Sequence, residues 1–136
     1  MEQRDYILRE IEKIGVIINA FRQKIFGNSE KLSITLEKQI EISKGMLLNE
    51  MNFDFDKFLT LDTENLNEYI SHFVGFSVEN IELLAECLSQ IGFDDNCENS
   101  KIYLEKSLQL YELCNLKSRT YSFEREANIN LIKNKI

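Results

Sequence analysis

The chain has a single histidine, His72, so any Ser–His or Cys–His mechanism must run through it. It falls near the end of a short predicted helix beside Phe73, and no nucleophile or orienting group accompanies it in sequence. Base catalysis needs both, which makes a helix-end or surface histidine the expected reading. Cys87, Cys97 and Cys114 have no C-x-x-C spacing. Zinc takes about four ligands, and three scattered thiols with one histidine do not announce such a site. Cys87 lies between Leu84 and Leu88, and Cys114 continues a helical stripe, so both read as small core residues. Cys97 sits in an acidic loop and is the thiol expected to be exposed and open to modification.

The loop from Asp94 to Ser100 is the one metal-like string: Asp94, Asn96 and Glu98 alternate, and Glu105 stands where an EF-hand places its bidentate glutamate. Asn99 takes the position of the obligatory glycine and Lys101 that of a small apolar residue, so a solvated loop with Asn99 or Ser100 capping the next helix is expected instead. Asp54, Asp56, Asp62 and Glu64 crowd one region. Two carboxyls with divergent pKa values can do acid–base work, but at helix starts negative charge is favoured by the backbone dipole, and capping is the preferred reading. Lys117, Arg119, Ser122 and Arg125 form the only locally basic, hydroxyl-rich segment of an acidic chain, at a helix N-terminus that attracts anions. They are the candidate anion or partner contacts, weighed against a well-capped turn whose arginines pair with neighbouring acids. Tyr103 and Tyr111 are of a type that lines interfaces, although Tyr111 fits a core position. No catalytic, cofactor-binding or metal-ligating residue is assigned.

The elements that position these residues are read from apolar spacing. Ile7, Ile11, Ile14, Ile18, Phe21 and Ile25 recur at steps of four and three, with Leu8 and Ile17 widening the stripe. That pattern predicts a helix from about Glu2 to Phe26, ended at Gly27-Asn28-Ser29. A second helix starts between Glu30 and Leu36 and runs to about Met51, with Leu32, Leu36, Ile40, Leu47 and Met51 on one side. Gly45 inside it is tolerated at a cost of up to about 1 kcal/mol relative to Ala, which a packing reason such as close approach of another helix would explain. Asn52–Leu61 is a short aromatic segment capped by Asn52 or Asp54, and Asp62-Thr63 caps a helix over Glu64–Phe73. Gly75 breaks that helix, Ser77 caps the next over Val78–Ile91, and Gly92 is expected to end it. Ser100–Leu116 forms a helix with Leu104, Ser107, Leu108, Tyr111 and Cys114 on one face, and Ser122 caps a last one from Phe123 to about Lys135.

A chain of 136 residues, 43% hydrophobic and 29% charged, is expected to form one domain over 1–136 with its own core. No proline and only 5 glycines disfavour a sandwich or barrel, which needs many tight turns. The fold class is therefore all-α, with six to seven helices in antiparallel hairpins joined by short loops. A formal charge of −7 opposes nucleic acid as a partner. The longest apolar stretches are far below a membrane span, and the first residues carry no signal-peptide pattern, so no membrane association and a cytoplasmic location are expected. Three cysteines at wide spacing suit a reducing compartment.

From Asn80 onward the chain resembles tetratricopeptide-type hairpins. Leu83-Leu84-Ala85, Leu88 and Ile91-Gly92 are similar to a repeat's first helix, and Tyr103-Leu104-Glu105-Lys106-Ser107-Leu108 with Tyr111 to its second, with Ser107 at the small position. The opening, Asp5-Tyr6-Ile7-Leu8-Arg9 with Ile11-Glu12 and Gly15, and the closing Ser122-Phe123-Glu124-Arg125 resemble small bacterial proteins of tetratricopeptide-like fold. The long Phe93–Asn99 loop, the missing proline and the lack of a 34-residue period depart from that pattern and make the repeats degenerate. The resemblance implies the holding of partners and no reaction.

The leading expectation is a non-enzymatic helical scaffold or interaction module for an unidentified protein or peptide. A homodimer through the exposed edge of the first helix is its variant. The alternative is a regulatory domain that binds a small ligand or anion through the Lys117–Arg125 segment.

Overall fold

A computed structural model describes residues 2–27 and 34–136, and the side chains from residue 3. The expected caps Asn28 and Ser29, and the expected core residue Leu32, lie outside the described residues. Seven helices and no strand are present among the described residues: α1 (Glu2–Phe26), α2 (Leu36–Met51), α3 (Phe55–Thr60), α4 (Thr63–Ser71), α5 (Val78–Phe93), α6 (Ser100–Lys117) and α7 (Phe123–Lys135). The fold is all-α. No described helix is long and apolar enough to cross a membrane.

Helix starts follow side-chain capping, which satisfies the first free N–H groups. Thr35 accepts from the Lys38 N–H at 3.2 Å, Asp54 from Lys57 at 3.1 Å, Asp62 from Asn65 at 2.9 Å, Ser77 from Asn80 at 3.3 Å and Ser122 from Arg125 at 3.1 Å. Asn52 ends α2 rather than starting α3. It takes the left-handed conformation (φ 56°), and its N–H and that of Phe53 return to Leu48 and Leu47.

The α5–α6 hairpin is the most extensively packed pair, and α1 lies along both α2 and α5. α5 is therefore the central helix, burying Ile81, Leu84, Ala85, Cys87, Leu88 and Ile91 on more than one side. Gly92, expected to end α5, lies inside it and is buried. A Cβ there would come within 2.7 Å of Leu104, so this glycine lets α6 approach and terminates nothing. Ser107 sits at the same contact and donates to the Ala85 carbonyl at 2.7 Å. Gly45 behaves in the opposite way, because a Cβ there would meet nothing within 4 Å. Among the described residues no close approach of another helix explains Gly45.

α1 departs from its expected stripe at one end. Burial begins at Ile14 and continues through Ile17, Ile18, Phe21 and Ile25, whereas Ile7 and Leu8 are exposed because no described element covers the first two turns. The joint between α1 and α5 is polar. The buried Asn80 side chain donates to the Ile11 carbonyl at 2.8 Å and to the Gly75 carbonyl at 2.9 Å. Gly75 has φ +91°, and a Cβ on it would fall 2.5 Å from the Glu10 backbone, so only glycine lets the α4–α5 turn touch α1.

The short helices carry an aromatic plug. Phe53, in the turn before α3, is buried with its ring centroid 5.1 Å from Phe58 and 5.5 Å from both Tyr69 and Phe73. Phe55 ties the plug to Phe21 of α1 at 5.2 Å. Lys106 of α6 is 4% exposed, donates to the Leu61 carbonyl, and places its ammonium 5.8 Å from the centre of the Phe58 ring. Burial lowers its pKa, opposed by Asp62 and Glu105.

Two of the helical glycines, Gly45 and Gly92, give opposite predictions for one substitution. Gly45→Ala is expected to stabilise the protein by up to about 1 kcal/mol, by removing backbone entropy at an open site. Gly92→Ala is expected to destabilise it by about 1–3 kcal/mol, since Leu104 must move. Urea denaturation of the two variants reads both signs.

Candidate functional site

A cleft of about 770 Å³ opens between the first turns of α1, the end of α2 and the end of α4. Tyr6, Glu10 and Lys13 share one face of α1 by their spacing and line one wall. Leu48, Glu50 and Met51 come from the end of α2, and Tyr69, His72, Phe73 and Val74 from the end of α4 and the turn after it. Tyr6, Leu48 and Val74 are 47%, 49% and 48% exposed, so each wall offers a large apolar side chain to solvent. Glu10 and Glu50 face Lys13 and Lys57 as the lining charges, in a mixed rather than one-signed field.

Two contacts fix the polar part of this cleft. The Tyr69 hydroxyl accepts the Asp54 N–H at 2.8 Å, and the Lys57 ammonium stands 5.5 Å from the centre of the same ring. His72 caps α4, with Nδ1 2.8 Å from the Glu68 carbonyl oxygen. A carbonyl only accepts, so Nδ1 carries the proton in this bond and Nε2 is left for another group. His72 thus sits at an exposed helix end, as its sequence context implies. Among the described residues, those lining the cleft around it supply tyrosine hydroxyls, carboxylates and amines, and no serine, threonine or cysteine.

The four candidate anion contacts do not form one site. Lys117 and Arg119 are exposed, while Ser122 is committed to capping α7. Arg125 is 5% exposed and turns inward. Its guanidinium makes a two-pronged bond to Glu82, at 3.0 and 3.3 Å, and donates to Asn115 at 3.1 Å. The hydrogen bond to Glu82 holds its pKa above the ordinary value. Arg125 is the clamp that ties α7 to α5 and α6, and these bonds match its charge.

Glu82 belongs to a polar ladder on α5 that apolar periodicity does not reveal. Glu82, Glu86 and Gln90 stand at successive four-residue steps, with Arg22 of α1 bonded to Gln90 at 2.6 Å and paired with Glu86 at 3.7 Å. Burial holds the Glu86 carboxyl above its usual range; Arg22 opposes this, and Glu82 and Glu124 add to it. The i, i+4 run of acids on a helix flanked by arginines from distant elements was the available signal.

The polar groups of the acidic loop are held by local contacts and by α2. Asp94 accepts the Asn96 N–H at 2.8 Å, Glu37 of α2 accepts the Glu98 N–H at 3.0 Å, and Glu105 faces Lys101 at 3.7 Å. Asn99 holds the cap position of α6 without a side-chain bond, a departure from the capping expected there. Among the described residues no three of His, Cys, Asp and Glu gather in a way that could hold a metal ion. Asp54 and Asp62 cap helices, and Asp56 pairs with Lys44 at 2.8 Å.

Cys87 and Cys114 are buried, and burial pushes both thiols up to about 12. Cys97 is half-buried against the core rather than exposed. Burial raises its pKa and nearby Glu37, Asp94 and Glu98 add to the rise, which disfavours a reactive thiolate. Tyr103 and Tyr111 are both buried. Tyr103 stacks on Phe55 at 6.3 Å, and the Tyr111 hydroxyl accepts from Asn128 at 3.3 Å.

No family model, curated protein or solved structure matches the chain.

The Arg125 clamp makes a non-additive prediction. Arg125→Ala leaves Glu82 desolvated and is expected to cost about 2–3 kcal/mol in urea denaturation. Replacing both partners, as Glu82→Leu with Arg125→Met, is expected to recover most of that loss, because no unpaired charge remains.

Proposed function

We propose that the chain is a non-enzymatic interaction module that receives a peptide or helix of a partner protein in the α1–α2–α4 cleft. The observation that carries this reading is the pairing of apolar Tyr6, Leu48 and Val74, from three separate elements, around a space of about 770 Å³. Single exposed apolar residues are ordinary on a protein surface, whereas several rimmed by charge around one hollow fit a binding site. The lining charges, Glu10 and Glu50 with Lys13 and Lys57, would set the orientation of the bound segment and favour an amphipathic one of mixed charge.

The same reading takes the protein to be a degenerate tetratricopeptide-like array. The tight α5–α6 hairpin, with Gly92 and Ser107 at its closest contact, supports that comparison. A reducing cytoplasmic setting suits three free thiols, two of them deep in the core. The anion-binding alternative is the weaker reading, since Arg125 and Ser122 are occupied by internal bonds.

The test is affinity capture with the intact chain as bait beside a Leu48→Asp variant, followed by titration of the captured partner. Leu48 is exposed, so the variant keeps its fold, and its affinity is expected to fall at least about tenfold, the equivalent of about 1.4 kcal/mol. A partner that binds both forms equally would place the interaction elsewhere.

A further inference from the structure

α7 has two apolar faces, and only one of them is used. Ile129 and Ile132, with Arg125 between them and α5, face inward. At about 100° per residue, Phe123, Ala127 and Leu131 fall on one stripe opposite that face, which Asn130 and Asn134 share. Phe123 is 83% exposed, Leu131 is 59% exposed, and Ala127 is exposed with them. The exposed Tyr121 packs edge-on against Phe123 at 4.9 Å, which extends the apolar surface into the preceding turn.

The charges on α7 say what fits this face. Its first turn is acidic, with Glu124 and Glu126, and its last turn is basic, with Lys133 and Lys135. By helical angle, Glu124 and Lys135 flank one edge of the apolar line and Glu126 and Lys133 the other. We propose that this face pairs antiparallel with the α7 of a second copy. A twofold axis perpendicular to the helices keeps each edge on its own side while reversing direction. It brings Glu124 opposite the second copy's Lys135 and Glu126 opposite its Lys133, twice each. The same register seats Leu131 on the small Ala127 of the other chain, twice. Apolar layers, both charged edges and the opposed helix dipoles agree on one alignment. A parallel pair would instead set acid against acid and base against base.

A 13-residue helix is about 20 Å long, and such a contact covers less than the roughly 1,200–2,000 Å² of a standard interface. The dimer is therefore weak and concentration-dependent. It forms through α7 rather than through the edge of α1 expected from the sequence, and it is independent of the cleft.

Sedimentation equilibrium of the full chain from micromolar to millimolar concentration, at low and high salt, tests this. The expected result is a monomer–dimer equilibrium that weakens as salt rises. Leu131→Lys is expected to weaken it at least about tenfold with the thermal midpoint unchanged, since Leu131 is exposed. Glu124→Lys with Glu126→Lys, and Lys133→Glu with Lys135→Glu, are each expected to be monomeric alone and to form a heterodimer when mixed. A strict monomer to millimolar concentration overturns the proposal. So does a dimer that survives Leu131→Lys, or a pair of reversed variants, both shown folded by circular dichroism, that fails to associate on mixing.

Discussion

One buried side chain sets the geometry on which the rest depends. Asn80 opens the central helix and spends its amide on two carbonyls that belong to different elements, Ile11 in α1 and Gly75 in the turn after α4. A buried amide without partners would cost several kcal/mol, so the position is tolerable only while α1 and the turn are both in place. Gly75, against the Glu10 backbone, and Gly15, whose Cβ would come 3.0 Å from the Asn80 oxygen, leave room for no other arrangement. The joint fixes the distance between Glu10 on one side and the His72–Val74 segment on the other. Those are two walls of the cleft.

The remainder of the fold divides between dry packing and polar clamps. α5 and α6 close on each other through Gly92, Leu104 and Ser107. The aromatic plug around Phe53 fills the space that the short helices α3 and α4 cannot reach with aliphatic side chains. Two cations then do work usually left to apolar residues. Lys106 satisfies a carbonyl at the α3–α4 junction, and Arg125 joins α7 to α5 and α6. A buried charge with its partners in place is costly to break but need not add net stability, so these contacts are better read as specifying arrangement.

Helix existence and helix starts were legible because both follow from local rules. The four-three spacing of α1 and the capping side chains Asp54, Asp62, Ser77 and Ser122 act within one turn of sequence. What was not legible depends on elements far apart in the chain. Phe53 sits in a turn, where apolar spacing carries no signal, yet it is the centre of the plug. Gly92 has the chemistry of a helix end, yet it is the glycine at a packing contact because α6 comes close there, while Gly45 faces open space. Which acid Arg125 pairs with was not legible, because Glu82 lies 43 residues away. The cleft was hidden for the same reason: Tyr6, Leu48 and Val74 come from three elements far apart in the chain.

The dependence of the cleft on that joint is open to one direct measurement. Asn80→Ala removes both bonds and leaves the Ile11 and Gly75 carbonyls to water. Native-state hydrogen exchange on this variant is expected to show faster opening of the first turns of α1 and of the α4–α5 turn by about tenfold or more, with the α5–α6 hairpin still protected. Unchanged protection at Glu10, Ile11 and Gly75 would contradict the claim that Asn80 holds the walls of the cleft in place.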